Sequence, residues 1–105
     1  MINPKEEIGD TKTPHHLVPP RVLEEVAWAM NEGAKKYGAF NYRKAGVKFH
    51  TYYSSTRRHI DKWYEGEDID PDSGLHHIVK AIAGLVVLYD SIKEGNFNDD
   101  RPNTL

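Results

Sequence analysis

Three stretches of this chain repeat apolar residues every three or four positions, and none alternates apolar with polar. The first pattern marks one buried face of a helix; the second would mark a half-buried strand. The sequence therefore predicts an all-α fold: a small bundle of three long helices in one domain over 1–105, without strands. Helix one runs from about Pro20 to Tyr37, with Leu23, Val26, Ala27, Met30, Ala34 and Tyr37 on one stripe. Helix two runs from about Phe49 to Glu65, with Phe49, Tyr53, Thr56, Ile60 and Trp63 on its buried side. Helix three runs from about Leu75 to Lys93 and is the most apolar, through Leu75, Ile78, Val79, Ile82, Leu85, Val86 and Tyr89. A second line on it, His77, Ala81, Gly84 and Leu88, is narrow and mostly small. Such a line admits the close approach of another backbone or a ligand.

Prolines and glycines punctuate these patterns. Pro4, Pro14, Pro19 and Pro20 predict an extended arm over 1–19, because proline fixes φ and lacks the N–H a helix interior needs. Gly38 and Gly66 stop the first two helices, 38–48 reads as a loop, and 94–105 as an irregular tail. Helices joined by a short connector pack antiparallel, so the end of helix two should lie beside the start of helix three. With 105 residues, 38% of them hydrophobic, the core is modest and a homo-oligomer, dimer or tetramer, is expected.

Charge and composition narrow the function. A net charge of -2 with interspersed signs argues against broad nucleic-acid binding, which needs an excess of Lys and Arg. The absence of cysteine excludes disulfides and thiolate zinc sites. The longest apolar run, 81–89, is too short to span a bilayer, and no basic start leads into an apolar signal region. The expected location is the cytoplasm.

The chemistry concentrates between helices two and three. "GEDIDPDSGLHH", 66–77, holds Glu67, Asp68, Asp70 and Asp72 together with His76 and His77. Mg²⁺ and Mn²⁺ favour such oxygen donors, and Glu67 and Asp70 share a face if the turn is helical. The alternative is a capped loop, in which Asp70 or Asp72 accepts from the free N–H groups of helix three. His59 and His77 sit on the two helices that this loop joins, as ligands or as hydrogen-bonded core residues. His15, His16, His50 and His76 read as surface groups. In "AKKYGAFNYRK", Lys35, Lys36, Asn41 and Arg43 surround Gly38, and Tyr37 or Tyr42 can stack on a base. The alternative is a solvated helix end. Arg57 and Arg58 either bind phosphate or pair with Glu65 and Glu67. Together these groups suit metal-assisted phosphoanhydride hydrolysis. No Walker motif, Gly-x-Ser-x-Gly or cysteine nucleophile is present. A histidine–aspartate phosphohydrolase would need an adjacent His-Asp pair, and the chain has only His59-Ile60-Asp61.

"GAKKYG.FNY", "RRH...W..GEDIDPDSGL.H" and a closing "DDRP" resemble the dATP/dGTP diphosphohydrolase N-terminal domain family of phages and bacteria, which is related to MazG-like nucleotide pyrophosphohydrolases. The resemblance covers about residues 10–102. It implies a MazG-like helical fold, oligomeric, that hydrolyses a purine deoxynucleoside triphosphate to monophosphate and pyrophosphate with Mg²⁺ or Mn²⁺. The setting would be nucleotide-pool control in a phage-infected or bacterial cytoplasm. On this reading Glu67, Asp70 and His77 hold metal, and His59, Glu67 and Asp68 are catalytic. Lys35, Lys36, Asn41 and Arg58 hold phosphates, and Tyr37 or Trp63 contacts the base. The chain departs from the MazG-like acid pattern, Glu-x-x-Glu then Glu-x-x-Asp. Helix one offers Glu24-Glu25, helix three has His77 and Lys80, and Glu67-x-x-Asp70 lies in the loop. Lys80 motivates the alternative of a non-catalytic nucleotide-binding or protein-interaction module.

Overall fold

Helix dominates the computed structural model, which describes residues 1–104. The α-helices are α1 (Pro4–Gly9), α2 (Pro20–Tyr37), α3 (Asn41–Ala45), α4 (Phe49–Tyr64) and α5 (His77–Glu94). Two short strands, β1 (Val47–Lys48) and β2 (Phe97–Asn98), and 3₁₀ turns at His15–Leu17 and Pro102–Thr104 complete the order.

Local chemistry sets the long helices. Pro20 opens α2, where a missing N–H has no intrahelical partner to lose. Gly38, at φ 97°, ends it in a conformation that a Cβ would oppose. At α5 the cap is His76, whose Nδ1 accepts from the Ile78 N–H at 3.0 Å. The expected caps, Asp70 and Asp72, do not reach this helix end. The connector folds back on itself through an Ile69–His76 bridge, so His76 adjoins the free N–H groups. Asp70 instead closes its own turn, accepting from the Asp72 N–H at 3.1 Å and the Ser73 hydroxyl at 2.9 Å.

Packing centres on α5. Phe49 meets Val87, Thr56 lies against Gly84, and His59 faces His77, so α4 and α5 run antiparallel as expected. The small-residue line of α5 makes this possible: a Cβ at Gly84 would stand 2.4 Å from Thr56 Oγ1. Val26, Ala29, Val79 and Ala83 form one core cluster between α2 and α5. Val47, Phe49 and Val87 form the other, and Met30 packs against both.

Four expectations need correction. The arm is not wholly extended, because Asn3 caps α1 by accepting from the Lys5 N–H. The 38–48 loop contains α3. Strand is present: β1 and β2 pair in parallel, Val47 with Phe97 and Lys48 with Asn98. The tail is therefore ordered against α4. Two-residue strands leave no alternation to detect; this pairing is held by contacts distant in sequence. Phe97 stacks on Phe49 at 5.0 Å, and Asn96 Nδ2 donates to the carbonyls of Tyr42 and Arg43. Asp100 accepts the His50 N–H at 2.9 Å, capping α4, whose own N-cap residue supplies no side-chain acceptor. Finally, Leu23, Tyr53, Ile60, Trp63, Leu85, Val86 and Tyr89 are exposed although their stripes predicted burial. The small line of α5, not its large stripe, faces α4. Among the described residues no helix is long and apolar enough to cross a membrane.

Candidate active site

Three helices and two loops enclose a cleft of about 640 Å³, within the size range of small-molecule sites. From α2 come Glu32, Lys36 and Tyr37; from the following loop and α3, Phe40, Asn41 and Tyr42. From α4 come Tyr52, Ser55, His59 and Lys62; from the acidic connector, Asp70 and Asp72; from α5, Lys80 and Gly84. The cleft is polar at one end. Lys80 pairs with Glu32, and Lys36 lies 2.7 Å from Glu32 and 3.5 Å from Asp72. At the other end, Arg43 anchors α3 to Asp90 of α5 through two hydrogen bonds of 2.9 and 2.8 Å. Lys80 and Asp90 are about 15 Å apart along α5 by helical rise. Tyr42 and Tyr52 pack by Phe49 and Val87 toward the Asp90 end, while Lys36 and Lys80 stand at the Glu32 end.

Behind His59 lies a chain of three groups. The rings of His59 and His77 face each other, Nδ1 to Nδ1, at 2.9 Å, and His77 Nε2 sits 2.7 Å from Glu67 Oε1. His77 is fully buried. Two protonated nitrogens cannot face each other this closely, so the chain restricts its own tautomers. Glu67 as a carboxylate only accepts, so His77 donates from Nε2 and presents the Nδ1 lone pair. His59 then donates from Nδ1 and keeps Nε2 free, on a residue that lines the cleft. Burial pushes the His59 imidazole below its ordinary value, while Asp70 opposes this. Burial would raise the Asp70 carboxyl, yet the Ser73 hydroxyl and Asp72 N–H hold it below the usual range. Burial also opposes ionisation of Glu32, and hydrogen bonds from Lys36 and Lys80 outweigh it.

The residues singled out from sequence divide into three groups. Lys36, Tyr37, Asn41, His59 and Asp70 line the cleft. Glu67 and His77 stand behind it as supports of His59, and Asp68 joins them by its backbone carbonyl, which accepts the His77 N–H at 2.9 Å. Lys35, Arg58 and Trp63 do not line the cleft. Arg57 pairs with Asp61, one helical turn on, rather than with Glu65 or Glu67. His50, read as a surface group, is exposed and contacts Asp100. The sequence reading missed Glu32, Lys62, Phe40 and Tyr52. Glu32 had a signal: with Ala29 and Lys36 it falls at three- and four-residue spacing on one face of α2.

The expected ligands for a hard cation do not converge. Among the described residues no three His, Asp or Glu side chains come together as a metal-binding group. Both ring nitrogens of His77 are engaged, Asp70 is turned into its loop, and Glu32 is held by two lysines. The donor set as placed does not fit a preformed cation cage.

The sequence profile of the family described as "dATP/dGTP diphosphohydrolase, N-terminal" matches residues 2–101. The chain belongs to this family. A dATP/dGTP diphosphohydrolase of Salmonella phage PMBT28 is 33% identical over 90 residues, covering 86% of this chain. The chain spans only 30% of that relative's length. No solved structure matches the chain. The family match takes in every cleft residue, from Ala27 to Val87.

Proposed function

We propose that this chain binds a purine deoxynucleoside triphosphate, dATP or dGTP, in the cleft between α2, α4 and α5 and hydrolyses it to monophosphate and pyrophosphate. The carrying observation is the Glu67–His77–His59 chain opening into a cleft with ammonium groups at one end. Lys36, Lys62 and Lys80 face the phosphates and offset their charge. His59 Nε2 accepts a proton from the attacking water. The water oxygen bonds to the α-phosphorus, the bond from that phosphorus to its bridging oxygen breaks, and pyrophosphate leaves. His77 and Glu67 hold the imidazole in the accepting tautomer. Mg²⁺ or Mn²⁺ stays in the proposal as the counter-ion carried by the triphosphate. We read the helical arrangement as a MazG-like bundle acting as a homo-oligomer in the cytoplasm.

Incubating the protein with each nucleoside triphosphate plus Mg²⁺ or Mn²⁺, and separating products by chromatography, tests this. Purine deoxynucleotides should yield monophosphate and pyrophosphate, and Glu67→Gln should lose that yield while keeping its melting temperature. A fully active Glu67→Gln protein overturns the assignment of the histidine chain. The second reading is a binding module without turnover, favoured by Lys80 occupying Glu32. Nucleotide-dependent thermal stabilisation with no product at either metal would establish it.

A further inference from the structure

Phe40 is the one residue other than glycine with positive φ among the described residues, at φ 56° and ψ 24°. A bulky side chain resists this left-handed region, and such conformations persist where the surroundings impose them, often at functional sites. Burial does not explain it, because Phe40 is 58% exposed. What holds the ring is a cation. The Arg43 guanidinium lies 5.1 Å from the ring centroid, and Arg43 is fixed by two hydrogen bonds to Asp90. Tyr42 flanks the ring at 6.1 Å, tilted by 51°. Phe40 lines the cleft, and its neighbour Arg43 is tied to Asp90, about 15 Å along α5 from Lys80.

We infer that Phe40 is the platform on which the nucleobase stacks, and hence the residue that favours a purine. This rests on the nucleotide reading above. Arg43 covers one face of the ring, and the exposed remainder offers a flat surface to a planar ligand. An exposed aromatic held in a costly backbone conformation, beside a cleft with cations beyond it, suits a ligand with a ring at one end and anions at the other. The fused purine ring overlaps more of that surface than a pyrimidine. Neither Tyr37 nor Trp63 has this anchoring, and Trp63 lies outside the cleft.

Calorimetric titration of wild type, Phe40→Leu and Phe40→Trp with dATP, dCTP and inorganic tripolyphosphate tests the inference. Wild type should bind dATP more tightly than dCTP. Phe40→Leu should weaken dATP roughly five- to one-hundred-fold and leave tripolyphosphate within about twofold, as expected for loss of stacking alone. Phe40→Trp should retain dATP. Unchanged dATP binding in Phe40→Leu overturns the inference, and so does equal loss of dATP and tripolyphosphate, which would mark a structural role. A wild type that binds tripolyphosphate but no nucleotide preferentially also overturns it, while leaving a phosphate site in the cleft. Binding of none of the three removes the nucleotide reading itself, and this inference with it.

Discussion

His77 shows how one buried side chain can set the chemistry of another. It has no exposed surface, and each ring nitrogen meets a different partner, so the protonation pattern runs from Glu67 to His59. His59→Gln should lower turnover by about 10²- to 10⁴-fold, the usual contribution of a positioned base, with a small change in melting temperature. The pH dependence follows from burial. The His59 imidazole is held below its ordinary value of 6.5, so the unfolded chain binds the proton more readily. Its contribution to stability is full above pH 6.5 and falls as pH drops below that value. Likewise, kcat/KM should hold its plateau through pH 6.5 and fall only at more acid pH; an acid limb centred above 6.5 would contradict this. The histidines and Glu67 were legible as a group because the connector is short. Lys80 was legible only as a missing ligand. Its partner, Glu32, is 48 positions away, and no local pattern links them.

Among the helices, α4 packs closely against α5 at Gly84 and Thr56. Thr56 is buried and stiff at χ1, and its hydroxyl has no hydrogen-bond partner among the described residues. Gly84→Ala should therefore destabilise the protein by about 1–3 kcal/mol through overpacking. Thr56→Ala combined with Gly84→Ala should recover part of the loss, a coupling that urea unfolding of the four variants in a cycle would measure. At the other end of α4, the cap comes from the tail. His50 holds the Asp100 carboxyl below its usual range, so this contribution is present above about pH 3.8 and is lost as pH falls through the lower folded value. Asp100→Asn should melt below wild type at pH 7, and the gap should close below pH 3.8. Helix positions were legible from periodicity. The buried face of α5 was not, because the large stripe carried the stronger hydrophobic signal while the small line allowed the closer fit.

The whole chain exposes more surface than a compact monomer of its size. Its surface is 8344 Å², against roughly 6,000 Å² for a compact protein of 12.0 kDa. Its radius of gyration is 17.2 Å, against about 13 Å. The arm accounts for part of this, since neither α1 nor the His15–Leu17 turn buries a residue. The open faces of α4 and α5 contribute as well, through Tyr53, Ile60, Leu85 and Tyr89. Light scattering after gel filtration should return two or four times 12.0 kDa, and Leu85→Glu with Tyr89→Glu should lower that mass. A mass of 12.0 kDa at micromolar concentration would contradict self-association. By itself the sequence determined the helical class, the spans of the three long helices and the antiparallel turn between α4 and α5. Each of those depends on neighbours within a few positions. Tertiary structure alone decided which face of α5 is buried, that the tail pairs with β1, that Lys80 meets Glu32, and that Phe40 stands beside Arg43 at the cleft. These depend on packing and on pairs brought together by the fold, whose free energy is settled by the whole chain and leaves no periodic trace in any segment.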